Sequence, residues 1–386
     1  MKLALIRRQF SGTGGAELYL QRLLAALADA GHQLHLFAEA WPGQPEGVTV
    51  HPVSVSGSRA WRPVRFAEAV QKALGVERFD CVFSLERTGR QDVYRAGDGV
   101  HRVWLDRRRQ YAPWWRKPFV GLGAFHRNMM TLEKRTFDPA NTRHIIVNSE
   151  RVRREILERF AFPAERIHLV RNGVDTARFR RGQRAETRAR LGVKDNESLL
   201  LFVGSGWERK GLRFALQLVA DLRHTRRLLE AECQRQHAEW RLSKGAFRQR
   251  ARLLVVGKGR PPRGAPSDDV IYTGPMEDIE NAYAAADLLV FLPIYEPSAN
   301  VVAEALAAGL PVVTSAFNGA SELIRAGVNG SVINDPADRG AVYAAACFWL
   351  AGIAPRPVHT AADLSLERNA RETLALLERA AKEKAT

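Results

Sequence analysis

The stretch from Asp287 to Thr314 constrains the fold more than any other. Asp287-Leu288-Leu289-Val290-Phe291-Leu292 is a continuous apolar run and reads as a buried strand. A polar loop follows, and then Val301 to Ala308 shows helical apolar spacing. Gly309 and Pro311 stop that helix and feed Val312-Val313-Thr314, a second strand. Strand, helix and strand in that order build a parallel sheet with the helix on its face. The same stretch carries two carboxylates, Glu296 and Glu304, separated by seven residues. Glu296 lies in the loop at the carboxyl end of the first strand, and Glu304 about one turn into the helix. The helix N-terminus between them offers N–H groups and a positive dipole end, which suit phosphate. A carboxylate beyond it can accept hydrogen bonds from sugar hydroxyls. A nucleotide sugar has both parts. Glu304 falls among Val301, Val302, Ala305 and Leu306, where an unsatisfied carboxylate is costly.

Alternation of this kind runs through the chain. Lys2–Arg7 reads as a strand, Gln9–Gly15 as a loop, Ala16–Ala30 as a helix stopped by Gly31, and His32–Phe37 as the next strand. Further strands are expected at Val48–Val53, Cys81–Ser84, His144–Asn148 and His168–Val170, with helices at Val64–Leu74, Gly121–Phe137 and Glu150–Phe160. Asn172–Asp175 and the polar run 180–198 read as a linker. A second series starts with strand Leu199–Val203, loop Gly204-Ser205-Gly206 and helix Gly211–Leu222, and continues through Gly330–Ile333. At 386 residues the chain exceeds one ordinary core. The expected class is α/β, with a domain over 1–175, a second over 176–359 and a final helix near 360–386 packing back on the first. Two doubly wound domains facing across a cleft bind ligands at the carboxyl ends of their strands.

The hydrophobic fraction is 46% and the charged fraction 26%, as in soluble globular proteins. No apolar stretch approaches the ~20 residues that span a bilayer. The apolar run near Met1 is too short for a signal peptide. Cys81, Cys233 and Cys347 are widely spaced, which argues for a reducing compartment, the cytoplasm, and against a metal cluster. Net charge is +16 and is concentrated. Residues 102–135 hold nine Lys/Arg against Asp106 and Glu133, and residues 223–252 hold nine against three Glu. In the first segment the cations interleave with Trp104, Tyr111, Trp114, Trp115, Phe119 and Phe125. Such a mixture suits stacking on single-stranded nucleic acid or docking at an anionic membrane interface. No nucleic-acid module accompanies it, which favours the membrane and no nucleic acid. The second segment reads as a solvated helical excursion.

Three further candidate sites emerge. Gly12–Glu17, with Gly14 and Gly15, sits between a strand and a helix and can approach a phosphate, although Glu17 stands where a dinucleotide fingerprint has its third glycine. On its own the signal is weak, and a tight strand–helix turn explains the loop better. Val203-Gly204-Ser205-Gly206-Trp207-Glu208-Arg209-Lys210-Gly211 places two cations at a helix start, where the dipole opposes them. That placement invites a function: Arg209 and Lys210 would neutralise a diphosphate. Asp98, in Ala96-Gly97-Asp98-Gly99-Val100-His101, could accept a proton or bind acceptor hydroxyls, as could His101. A turn or N-cap role explains Asp98 as well.

Taken together these motifs resemble a known family. Glu296-x7-Glu304 followed by Ala305-Leu306-Ala307-Ala308-Gly309-Leu310-Pro311-Val312-Val313 resembles the signature of retaining glycosyltransferases of family 4. Gly14–Glu17, Val147–Glu150, Asn172–Asp175, Gly204 to Gly211 and Asn318–Glu322 follow in the family's order. The wording from Tyr295 to Glu304 is similar to that of lipopolysaccharide-core and related cell-surface glycan transferases of bacteria. The resemblance implies a GT-B fold of two Rossmann-like domains, with the donor held mainly by the second. By position, Arg209 and Lys210 would bind the donor diphosphate. Glu304 would accept from the ribose, and Glu296 would touch the transferred sugar. Gly204 and the backbone of Ser298, Ala299, Asn300 and Val301 would contact the donor, and Gly14 and Gly15 would close on it. Asp98 and His101 would line the acceptor side. The family often has Phe-Gly where this chain has Ser298-Ala299; alanine still offers its N–H.

The implied reaction moves a hexose from a nucleoside-diphosphate sugar, UDP being the expected base, to a glycolipid hydroxyl with retention. Catalytic roles fall to Glu296, Asp98, Arg209 and Lys210. No cofactor is implied beyond the co-substrate, and no Asp-x-Asp motif calls for a metal. The enzyme would work on the inner leaflet of the cytoplasmic membrane. Two rivals remain: a GT-B nucleotide-sugar epimerase, and a non-enzymatic basic protein binding membrane or nucleic acid.

Overall fold

The computed structural model describes residues 1–385 except 10–14, 42–45, 237–249, 263–267 and 352–363, with backbone alone for 15–19, 21–22 and 226–236. The described chain divides into two units, Met1–Gly173 with Leu366–Thr386, and Val174–Ser365.

The first unit begins β1 (Lys2–Ile6), α1 (Gly15–Asp29), β2 (Gln33–Ala38), β3 (Val48–Pro52), α2 (Arg62–Leu74) and β4 (Cys81–Ser84). It continues with β5 (Gln91–Arg95), α3 (His101–Tyr111), α4 (Ala124–Thr136), β6 (Thr142–Val147), α5 (Glu150–Arg159) and β7 (Ile167–Leu169). Its strands pair in parallel in the order β3-β2-β1-β4-β5-β6-β7. The pleat explains the apolar run at the N-terminus. Leu3 and Leu5 enter one core with Leu20, Leu23, Leu24 and Leu27 of α1. Ala4 and Ile6 enter another with Phe66 and Val70 of α2. A strand covered on both faces must be apolar throughout, and each fully buried Leu or Ile stabilises the fold by about 1.5–3 kcal/mol.

The second unit holds α6 (Thr176–Phe179), α7 (Arg184–Arg190), β8 (Glu197–Val203), α8 (Trp207–Lys210), α9 (Leu212–Gln236), β9 (Arg250–Val256) and β10 (Val270–Gly274). It closes with α10 (Ile279–Ala285), β11 (Leu288–Phe291), α11 (Asn300–Ala307), β12 (Val312–Ser315), β13 (Gly330–Ile333) and α12 (Arg339–Leu350). Its parallel order is β10-β9-β8-β11-β12-β13. Chain order reverses between β8 and β11, and a crevice opens at the carboxyl ends of such a pair. The last helix, α13 (Leu366–Ala385), belongs to the first unit. It buries Leu376, Leu377 and Ala380 in the α1 core, and Lys384 Nζ donates to Asp92 Oδ2 at 2.8 Å.

Three sequence expectations need correction. The run 180–198 is not a linker, because α7 folds within it and its arginines are tied down. Arg184 donates to the carbonyls of Ala284, Ala285 and Ala286 at 2.8–3.1 Å and so caps α10. The segment after Cys81–Ser84 contains a strand ending just before Asp98, as its position suggested, and a helix that apolar spacing did not reveal. β5 has only Val93 and Tyr94 as apolar residues, and its polar ones are satisfied across the sheet: Asp92 accepts from the Val82 N–H at 2.8 Å and Arg95 donates to Asn172 at 2.6 Å. Helix α3 is highly charged, with Val103 and Leu105 as its buried residues. The following helix starts at Ala124 rather than Gly121.

Candidate active site

Both ends of the switch point in the second unit carry the residues singled out from the sequence. After β8 the chain passes through Gly204, then enters the one-turn helix α8, bracketed by Gly206 at φ +73° and Gly211 at φ +78°. A Cβ on Gly211 would lie 1.8 Å from the Leu292 carbonyl oxygen, and one on Gly204 would lie 2.7 Å from Lys210 Nζ. The first glycine lets α8 abut the end of β11, and the second leaves room for the lysine to lie across the loop. Arg209 and Lys210 therefore occupy the last turn of a short helix closed by Gly211. The expected conflict with a helix N-terminus does not arise, and the case for these cations rests on what they face.

Arg209 Nη1 donates to Glu296 Oε2 at 2.5 Å and to the Tyr295 carbonyl at 3.2 Å, while the Ile294 N–H donates to the Arg209 carbonyl at 2.9 Å. Burial pushes the Lys210 ammonium below the usual lysine range, opposed by the nearby Glu296 carboxylate. Glu304 sits in α11 and accepts from the Tyr283 hydroxyl at 2.6 Å. Burial raises its carboxyl above the usual range, partly offset by the Tyr283 hydrogen bond and the Lys210 charge. Tyr283 is thus the partner that makes a carboxylate tolerable among apolar neighbours. A single tyrosine in a helix gave no signal of it.

The loop carrying Glu296 is fixed by Asn318, a fully buried residue. Its Oδ1 accepts from the N–H groups of Ala299 and Ala320 at 3.1 Å each, and its Nδ2 donates to Thr314 Oγ1 at 3.1 Å. The Glu296 N–H donates to the Phe317 carbonyl and the Gly319 N–H to the Glu296 carbonyl. The Ala299 N–H, expected to face the donor, here donates to Asn318. Asn300 and Val301 begin α11, with Ser298 just before them. Beside the β8 loop, the Lys258 N–H donates to Ser205 Oγ at 3.0 Å, and the Trp207 indole donates to the Gly204 carbonyl at 2.8 Å. Trp207 lies 5.8 Å from Tyr272, ring to ring. The carboxyl ends of β8, β9 and β11 therefore bring together two cations, two carboxylates and an aromatic wall.

In the first unit Gly14 lies outside the described residues, and Gly15 is the first residue of α1. Asp98 is exposed in the turn between β5 and α3. It does not cap α3, whose N-cap is Val100. His101 opens that helix, with Nε2 3.1 Å from His126 Nδ1. Burial and the Arg87 charge push its imidazole down to about 3, so it is neutral at physiological pH. Sequence reading also passed over His35, His51 and Glu77, whose ligating atoms cluster. Glu77 is already paired with the Lys2 ammonium there, and we assign the cluster no metal. No described helix is long and apolar enough to cross a membrane.

Two parallel α/β units, the second with ionic groups gathered at its switch point, have the architecture of GT-B glycosyltransferases. Residues 13–178 match the family model "Glycosyltransferase Family 4" and residues 197–351 match "Glycosyl transferases group 1". The chain thus carries a family 4 glycosyltransferase domain followed by a group 1 glycosyl transferase domain. It is 25% identical over 338 residues to lipopolysaccharide glucosyltransferase WaaG of Escherichia coli K12, covering 84% of this chain and 82% of that one. A D-inositol 3-phosphate glycosyltransferase of Catenulispora acidiphila is 32% identical over 203 residues, 50% of this chain and 46% of that one. Among solved structures, WaaG, a glycosyltransferase involved in lipopolysaccharide biosynthesis, superposes with a TM-score of 0.74 at 23% identity, covering 98% of both chains. Anabaena HepE, in complex with UDP and glucose, superposes with a TM-score of 0.64 at 16% identity, covering 98% of this chain and all of that one.

Proposed function

We propose that this glycosyltransferase moves a hexose from a UDP-sugar, with retention, to a hydroxyl of a lipopolysaccharide-core or related glycolipid. The observation that carries the reading is the cluster at the switch point, where Lys210 and the Arg209–Glu296 pair stand beside the start of α11 and Glu304 waits one turn further on. The likeness to WaaG supports the acceptor class, and the UDP-bound HepE fold supports the base. The donor diphosphate would lie against Lys210, Arg209 and the first turn of α11, which stabilise the charge that grows on it as it leaves. The ribose hydroxyls would donate to Glu304. The bond from the anomeric carbon to the phosphate oxygen breaks as the acceptor oxygen bonds to the same face, and the acceptor proton passes to the leaving phosphate. Glu296, aimed by Arg209, would orient the sugar. The two cations supply the charge that a divalent metal supplies elsewhere.

The helical hairpin α3–α4 supports work at a membrane. Its tip exposes Trp114 (82%), Phe119 (71%) and Trp115 (52%), with Arg116 stacked 4.4 Å over Trp115. Aromatic rings at headgroup level beside cations are the pattern of an interfacial anchor. Replacing all three rings with alanine is expected to release the protein from vesicles of anionic phospholipid in a flotation assay, with the fold unchanged.

A thermal-shift screen of UDP-, GDP- and ADP-sugars tests the donor reading; stabilisation by UDP-sugars alone is the expected result. Consumption of donor at the full rate without acceptor would instead point to an epimerase. Glu296→Gln keeps the shape and removes the charge, so it is expected to retain measurable transfer, slowed about 10²-fold. Trapping of a glycosyl–Glu296 adduct by mass spectrometry would refute same-face attack in favour of a covalent intermediate.

A further inference from the structure

Behind the Asp98–His101 turn lies a buried ion pair that the proposed reaction does not use. Glu133 of α4 is 1% exposed and Arg87, just after β4, is 8% exposed. Glu133 Oε1 accepts from the His101 N–H at 2.5 Å and from Arg87 Nη2 at 3.3 Å, and Oε2 accepts from the Arg102 N–H at 3.2 Å. Arg87 Nη2 also donates to the Gly99 carbonyl at 2.7 Å. The turn is gripped from both sides, its carbonyl by the guanidinium and the first N–H groups of α3 by the carboxylate. Val100, the N-cap of α3, makes no side-chain cap, so a residue from another helix takes that role.

A buried ion pair is poor evidence for stability, since apolar replacement of both partners is often neutral or stabilising. Its placement is the informative part. The backbone it fixes, Gly99 to Arg102, is the backbone on which Asp98 and His101 are mounted. We infer that Glu133, acting with Arg87 through the N-terminus of α3, is the positioning residue for the acceptor-side turn. The inference rests on the reading of Asp98 and His101 as acceptor-side groups. The Glu133 carboxylate already occupies the N–H groups of His101 and Arg102, the first two of α3. Acceptor contact is left to the Asp98 carboxylate and the neutral His101 ring.

The test is the full-length double variant Arg87→Met/Glu133→Met, which removes both charges and keeps apolar volume. It is expected to keep its melting temperature within a few degrees and its affinity for UDP unchanged. Hydrogen exchange at residues 99–103 should rise, and kcat for transfer should fall at least about tenfold, since a small misplacement of a reacting group is costly. Glu133→Asp, which retains the charge and shortens the arm, should fall between parent and double variant and keeps the test open if the double variant does not fold. Parental kcat in the double variant, or unchanged exchange at residues 99–103, overturns the inference. Asp98→Ala and His101→Ala separate the two claims. If both transfer at the parental rate, the acceptor-side reading has failed. If both lose transfer while the double variant does not, the positioning role alone has failed.

Discussion

Lys210→Ala is expected to lower kcat/KM for sugar transfer by about 10³-fold while leaving the fold intact. Removing one preorganised charged donor from a water-poor site costs about 10²–10³ in rate, and burial already acts on the Lys210 ammonium. Arg209 already spends one N–H on Glu296, so Arg209→Ala should cost less in charge stabilisation and more in the aim of Glu296. Lys210→Arg should not restore the rate, because a planar fork cannot take the path of a slender chain across Gly204. The pH dependence follows from the same environment. Burial lowers the Lys210 pKa, and the charged form is the one required, so kcat/KM should decline as pH rises through a value below the usual 10.5. A bound diphosphate favours the ammonium, so the alkaline limb of kcat should lie higher than that of kcat/KM. On the acid side, the ionised Glu304 is the stronger acceptor for hydroxyls, and its pKa is raised. Donor affinity should weaken as pH falls through it, and Glu304→Gln should flatten that limb. Steady-state rates from pH 5 to 10 check all of this; a loss below tenfold in Lys210→Ala would remove the lysine from the mechanism.

The chemistry of this site was legible because it sits on short apolar elements. Leu288–Phe291 and Val312–Ser315 are strands whose composition allows little else, so the carboxylates between them could be placed at a strand end and in a helix from the sequence alone. The residues that hold the site were not legible. Asn318 appeared only as one letter of a family motif, and its work is done through Ala299 and Thr314, which no local pattern connects to it. Tyr283 acts on Glu304 from twenty-one residues away. Highly charged segments misled in the other direction. β5, α3 and α7 have polar sequences whose partners come from distant elements, and propensity reads such stretches as loops or linkers. One local signal was present: Arg184 and Arg188 stand four apart, on one face of a single helical turn.

That turn carries the second large expectation. Arg188→Met should destabilise the second unit by about 3–5 kcal/mol, the usual result of breaking a buried ionic network from one side. Arg188 is 3% exposed. Its Nη1 donates to the Ala285 carbonyl at 3.0 Å and to Asp287 Oδ2 at 3.3 Å, and its Nη2 to the carbonyls of Lys194 and Glu197 at 2.7 Å each. Methionine fills much of the volume and returns none of these donors, so three backbone carbonyls lose a charge-assisted partner. Asp287 keeps Arg184 at 2.6 Å and the Leu199 N–H at 2.8 Å, which makes the carbonyls the larger part of the loss. The network joins α7, the end of α10 and the entry to β8, and so sets where the switch-point strand begins. In urea the transition of the second unit should therefore move to lower denaturant with an unchanged slope. The effect should be on folding and not on chemistry: at low temperature, where the variant is folded, kcat should match the parent, and saturating UDP should recover part of the lost stability by mass action. A shift worth less than about 1 kcal/mol would place Arg188 among ordinary surface arginines.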